Sequence, residues 1–216
     1  LNEAGDPITE VEVANIGPTK DNTLYENAEG LISNGSGQNF FVGKTGSNAI
    51  RRGVVTFDIA RIPAGSRVTG ATLTLHMSRE PAVGGPETIE LHRLLADWGE
   101  GASDALANEG GGAAASPGDA TWIHTFSDAL LWSSPGGDFS PNVSASQAVD
   151  EIGFYSWSGP ALVADVQSWL DSPQANFGWI LIGNESVATT AKRFDTRENI
   201  DTSFRPTLSV QYVTEP

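Results

Sequence analysis

The 216-residue chain contains no cysteine, one methionine, three histidines and three tyrosines. Without cysteine there is no disulfide framework, no thiolate nucleophile and no thiolate metal site. No apolar run approaches the length of a membrane span, and no basic-then-apolar leader opens the chain. The polar start LNEAGDPITE reads as a mature or trimmed product. Positive charge is scarce: 12 basic residues stand against 27 acidic ones, a formal charge of −15. A field of that sign opposes binding to nucleic acid and to anionic membranes. No glycine-framed serine elbow and no HExxH motif occurs. The glycine-rich EGGGAAA run lacks the lysine and the strand–helix setting of a phosphate loop. Paired carboxylates are the one catalytic arrangement that so acidic a chain leaves open.

What the sequence does have is strand periodicity. From Arg51 to Met77, Val55, Phe57 and Ile59 alternate with polar neighbours, and Ala71, Leu73, Leu75 and Met77 repeat the pattern. A period of two marks half-buried strands. Ile62-Pro63-Ala64-Gly65 turns the chain between them, so the stretch reads as a long hairpin that needs a second sheet to cover its apolar face. Further strands are expected in TEVEVANI (Thr9 to Ile16), DNTLYEN, NFFVG, TIELHRLL, FGWILIGN, KRFDTREN and RPTLSVQYV. FGWILIGN is nearly continuous in apolar residues and is expected to be buried on both faces. In the last strand Leu208, Val210 and Tyr212 should point inward. One helix is predicted over Pro160 to Asp171, with Leu162, Val163, Val166, Trp169 and Leu170 on one stripe, Pro160 in its first turn and Pro173 beyond its end. Residues 96–141 hold little periodicity and read as a long Gly/Ala-rich loop excursion, anchored by Trp98, Trp122 and Trp132. Together these features predict an all-β jelly-roll sandwich of two antiparallel sheets with one short α-helix. It is expected to be a single domain over 1–216, with 1–17 as N-terminal strand or linker.

Several groups of side chains suit chemistry. Asp21, Glu26, Asn34, Asp195 and Glu198 offer the mixed carboxylate and amide oxygens that calcium prefers, near the two ends of the domain. Ion pairs of Asp195 and Glu198 with Arg51, Arg52, Arg193 or Arg197 are the alternative. A second acidic set, Asp97, Glu100, Asp104, Glu109 and Asp119, lies in the excursion without the spacing of an EF-hand loop. Arg51-Arg52 with Arg193 and Arg197 form the one basic concentration, and guanidinium forks suit carboxylate-bearing sugars as well as salt bridges. Tyr155 or its neighbours in FYSWSG offer a stacking surface, with Trp157 expected inside. If TIELHRLL pairs with the strand around Leu73, then His76, Glu90 and His92 converge as a two-histidine, one-carboxylate site for zinc, copper or iron.

Phe57-Asp58-Ile59, Ile62-Pro63-Ala64-Gly65, Val68 and Ala71-Thr72-Leu73-Thr74-Leu75 resemble the core signature of the DNRLRE-type domain. The resemblance continues through Asp97-Trp98-Gly99-Glu100, Asp119-Ala120-Thr121-Trp122, the helix before Trp169, FGWILIG, Arg193-Phe194-Asp195-Thr196-Arg197-Glu198 and Arg205-Pro206-Thr207-Leu208. It spans roughly residues 18 to 213. That family is related to jelly-roll carbohydrate-binding modules of alginate lyases and to disaggregatase-associated domains. The resemblance implies a secreted jelly-roll module that binds extracellular polysaccharide without catalysis or serves at the cell surface; the oxygen-ligand set of Asp21, Glu26, Asn34, Asp195 and Glu198 adds the expectation of a stabilising calcium ion. The acidic balance departs from the basic surface expected of alginate-binding relatives. The alternative is a structural subunit of an extracellular fibre, sheath or surface layer, self-associating through edge strands such as TEVEVANI. An extracellular polysaccharide hydrolase or lyase is the more distant one.

Overall fold

The computed structural model describes residues 10–214, so Thr9 of the first expected strand lies outside the described residues. Alternating patterns become strands β1 (Glu12–Ile16), β2 (Pro18–Tyr25), β3 (Ile32–Ser33), β4 (Asn39–Lys44) and β5 (Ile50–Phe57). There follow β6 (Arg67–Arg79), β7 (Glu87–Leu94), β8 (Ala113–Ala114), β9 (His124–Phe126), β10 (Leu130–Leu131), β11 (Phe139–Val149) and β12 (Gly153–Ser158). The helix α1 (Pro160–Asp171) leads to β13 (Trp179–Ile182), β14 (Lys192–Asp195) and β15 (Thr207–Val213).

The fold is an all-β sandwich of jelly-roll type. Hydrogen bonding runs β1-β15-β6-β14-β4-β5-β13-β7-β11, with β12 added on β6 and β2 on β5, and every pairing is antiparallel. The path doubles back at β4: Asn39 to Val42 pair with β14, whereas Gly43 and Lys44 pair with β5. Gly43 has φ 118°, and a Cβ there would sit 2.9 Å from the Thr190 carbonyl oxygen. Only glycine makes that corner without strain.

The two layers bury their apolar faces against each other. Leu73, Leu75, Trp157, Phe194, Leu208 and Val210 come from one layer, and Val55, Phe57, Ile89, Leu91, Trp179 and Leu181 from the other. The Trp157 indole donates to the Ile89 carbonyl at 2.9 Å, a hydrogen bond from one layer to the other. Tyr212 is also buried in this core.

Two expectations are corrected. β5 and β6 are not hydrogen-bonded partners: they lie in the facing layers, and the Pro63–Gly65 turn carries the chain across the sandwich. Alternation reports which face is buried, not which strand lies alongside. For the same reason β7 pairs with β11 and β13 rather than with β6.

Helix α1 ties the layers together at one end. Gln167 accepts from the Val68 amide on β6 at 2.8 Å, and Asp165 accepts from the Trp179 indole on β13 at 2.9 Å. Its stripe of Leu162, Val166, Trp169 and Leu170 is buried, with Trp169 edge-on to Trp179 at 4.5 Å between ring centroids.

The segment between β7 and β11 covers the outside of the second layer. Leu24, Val54 and Ile180 point outward from β2, β5 and β13 and meet Trp98, Trp122 and Trp132 in a second apolar cluster. The middle of that layer is therefore buried on both faces, as the continuous FGWILIG run requires. Trp98 donates to the Phe177 carbonyl and Trp132 to the Thr121 carbonyl, both at 2.9 Å, so neither buried indole lacks a partner. The segment approaches β2 and its following loop very closely. A Cβ on Gly35 would run into the Glu100 carbonyl oxygen, so the two backbones are in direct contact there.

Candidate functional site

Beside the β4 corner, the sandwich opens into a cleft of about 260 Å³. Lys44, Arg51, Arg79 and Arg193 line it, and Phe41, Pro81 and Ala191 supply apolar wall. Its single acid, Glu80, is drawn toward the buried Lys192 ammonium at 3.4 Å. Among the described residues, none of the four cations lies within ion-pair distance of a carboxylate.

Each cation is placed by its strand. Arg193 and Arg79 are directly opposite one another in the β14–β6 ladder. Arg193 is held by Ser78, its Nε donating to the hydroxyl at 3.1 Å. Arg51 is buried over the Tyr25 ring at 4.7 Å; it donates to the Gly110 carbonyl, while its Nε has no partner in the protein. Burial pushes the Arg51 guanidinium below its ordinary pKa. Burial does the same to Arg193; Asp195 opposes that shift and Arg79 reinforces it. An anion in the cleft would relieve both costs, because it adds opposite charge at closer range than Glu26 or Asp195 and supplies hydrogen-bond acceptors. Arg52, adjacent to Arg51, points to the opposite face, where Glu185 holds it through two hydrogen bonds of 2.7 and 2.9 Å.

A second arrangement is built around the middle of β2. Asp21, Glu100 and Glu198 each present a carboxylate oxygen within 4.8 Å of the others. Asp21 is 1% exposed. One of its oxygens accepts from the Arg197 amide at 2.8 Å, while Oδ1 has no partner in the protein. Glu198 Oε2 is likewise without a partner. Arg197 grips Glu100 with Nε and Nη2, and its Nε lies 2.9 Å from Glu198 Oε1. Burial, and then the negative charge of Glu198, raises the Asp21 pKa well above the carboxylate range; burial followed by Glu100 raises that of Glu198.

The residues singled out in sequence are thus redistributed. Arg51 and Arg193 share the cleft, but Arg197 is committed to Glu100 and Glu198 and lies outside it. Of the calcium set, only Asp21 and Glu198 come together. Glu26 accepts from the Ile50 amide, and Asn34 is used up by Ala105, Asn39 and Glu109. Asp195 binds Asn39 Nδ2 at 2.9 Å and His76 Nδ1 at 2.6 Å. The second acidic set also disperses. Asp97 pairs with Lys20, Asp104 is exposed, and Glu109 and Asp119 are capped by backbone amides.

His76, Glu90 and His92 do not converge. Because β6 and β7 lie in opposite layers, His76 stacks on Phe204 on one outer face, at 4.1 Å, while His92 sits beside Glu90 on the other. Tyr155 packs its ring against the core and ties its hydroxyl to Glu151 and Asp150, leaving Phe154 as the exposed ring of that strand. Trp157 is fully buried.

Lys44 and Arg79 escaped the sequence reading, and Glu100 was grouped with the wrong acids. Arg79 takes its place from its register with Arg193, and Glu100 from side-chain hydrogen bonds to the Asp21 amide and to Arg197, neither of them local in sequence. No protein-family model matches this chain, and no curated protein matches it.

Proposed function

We propose that the chain is a non-catalytic extracellular module that recognises an acidic polysaccharide through the cleft of Lys44, Arg51, Arg79 and Arg193. The carrying observation is the Arg79–Arg193 opposition. Like charges directly across a ladder destabilise a sheet, and among the described residues no carboxylate comes within ion-pair distance of either; Asp195 acts on Arg193 only from farther off. A carboxylate- or sulfate-bearing sugar supplies that offset through bidentate contacts, and Phe41 and Pro81 offer apolar surface for the face of its ring. The −15 charge of the whole chain disfavours anions in general, so an acidic sugar has to be held by the local cations of this cleft. Affinity electrophoresis through gels containing acidic or neutral polysaccharides tests the reading. Retardation by an acidic polymer that fades as salt rises supports it; mobility unchanged by any polymer overturns it.

A second reading, the structural subunit of a fibre, sheath or surface layer, draws on β1. This strand is an edge paired only with β15 among the described residues, and Val11 and Val13 beside that edge are exposed. It already completes the sheet of its own chain, so assembly would have to use its outer edge. A strict monomer at high concentration in size-exclusion chromatography removes this reading.

A further inference from the structure

We propose that Asp21, Glu100 and Glu198 form a site for a hard divalent cation of the calcium class, and that the bound ion clips two loop segments onto β2. The inference is independent of the cleft and stands or falls without it.

The donors come from three separate parts of the chain: Asp21 from β2, Glu100 from the segment between β7 and β11, and Glu198 from the loop after β14. All are oxygen donors, with no imidazole or thiolate among them, which suits a hard cation and not zinc or copper. Two oxygens sharing one calcium at about 2.3–2.6 Å lie at most about 5 Å apart, so a group within that reach of itself can close on one ion. The charge also fits. Three carboxylates against the one guanidinium of Arg197 leave two negative charges, which a divalent ion neutralises.

The decisive feature is Asp21. Its carboxylate is almost wholly buried, and Oδ1 is without a protein partner although it lies next to two other acids. Leaving a buried carboxylate oxygen unpaired beside like charges is costly, and a fold avoids it unless something else completes the site. Arg197 does not do so: its amide takes the other oxygen, and its side chain is spent on Glu100 and Glu198. Asp21 Oδ1 and Glu198 Oε2 therefore remain as the free coordinating atoms. The neighbouring packing holds the donors in place. Asn22 Nδ2 binds the Glu100 carbonyl at 2.9 Å, and the Asp21 amide binds Glu100 Oε1 at the same distance.

The test is thermal denaturation of chelator-treated protein with calcium, magnesium or manganese chloride added, together with calorimetric titration of calcium. The site predicts one calcium per chain, a melting temperature that climbs with calcium concentration, and slower proteolysis between residues 95 and 138 when calcium is present. Asp21→Asn should weaken calcium binding about tenfold or more. Without calcium this variant should melt at or above the wild-type temperature, because the unpaired charge has gone. Glu198→Gln, at a less buried position, should weaken binding in the same direction and serves if the first variant fails to fold. A melting temperature indifferent to all three ions overturns the proposal and assigns the gap to a shared proton. Undiminished calcium binding in the variants overturns it equally.

Discussion

Arg79 and Arg193 stand directly across the β6–β14 ladder from each other, at the mouth of the cleft. Removing one should separate binding from stability. Arg79→Ala is expected to weaken retention by acidic polysaccharide while leaving the fold unchanged or more stable by about 0.2–1 kcal/mol, the range of an opposed pair. Paired affinity gels and urea melts measure both quantities on the same preparation.

The interior should respond to lost volume as a packed core does. Leu73 is wholly buried between the layers, so Leu73→Ala is expected to cost about 2–5 kcal/mol. Val83, exposed in the loop after β6, is the contrast, and Val83→Ala should change stability by less than about 0.5 kcal/mol. Equilibrium denaturation gives both values.

Acidity should act on the carboxylate group at β2. The pKa values of Asp21 and Glu198 are raised by burial and by their acidic neighbours, so the folded protein holds their protons more tightly than the unfolded chain does. Their contribution is fully present below the unfolded values, about 3.9 for Asp and 4.3 for Glu, and is lost as pH rises through the raised folded values. In chelator, the part of the stability profile due to these groups should therefore fall on going from acid toward neutral pH. Asp21→Asn should flatten that part, which a series of melts across this range would show.

The seating of the segment between β7 and β11 depends on close backbone approach. Gly35→Ala places a Cβ on the Glu100 carbonyl, and something must move. Overpacking of this kind costs about 1–3 kcal/mol. Because Glu100 is displaced with its carbonyl, the same change should accelerate proteolysis within 95–138. Limited digestion compared with wild type checks it.

Most of the long strands, the helix and the core were legible because burial imposes a period on the chain; β11 was not, since its exposed stretch Pro141 to Val143 breaks that period. Val55, Phe57, Leu73, Leu75 and four of the five expected stripe residues of α1 lie inside, with Val163 half-buried at the edge. Partnership was not legible. The turn at Pro63–Gly65 suits a hairpin and a crossover equally, so nothing local told β5 and β6 that they face each other from opposite layers. The expected histidine site fails on a second pairing of the same kind, because β7 lies beside β11 and β13 and not beside β6. Arg193 stood out as rare positive charge in an acidic chain, whereas Arg79 acquires meaning only from its register with β14. Asp21 and Glu198 were separable from the other acids only once burial showed which oxygens lacked partners.

The most direct test of the account is binding of one acidic polysaccharide by wild-type protein and by the Arg79→Ala, Arg193→Ala double variant, measured calorimetrically at two salt concentrations. The account predicts salt-sensitive binding by the wild type and its loss in the double variant with the fold intact. Equal binding by the two proteins would contradict it.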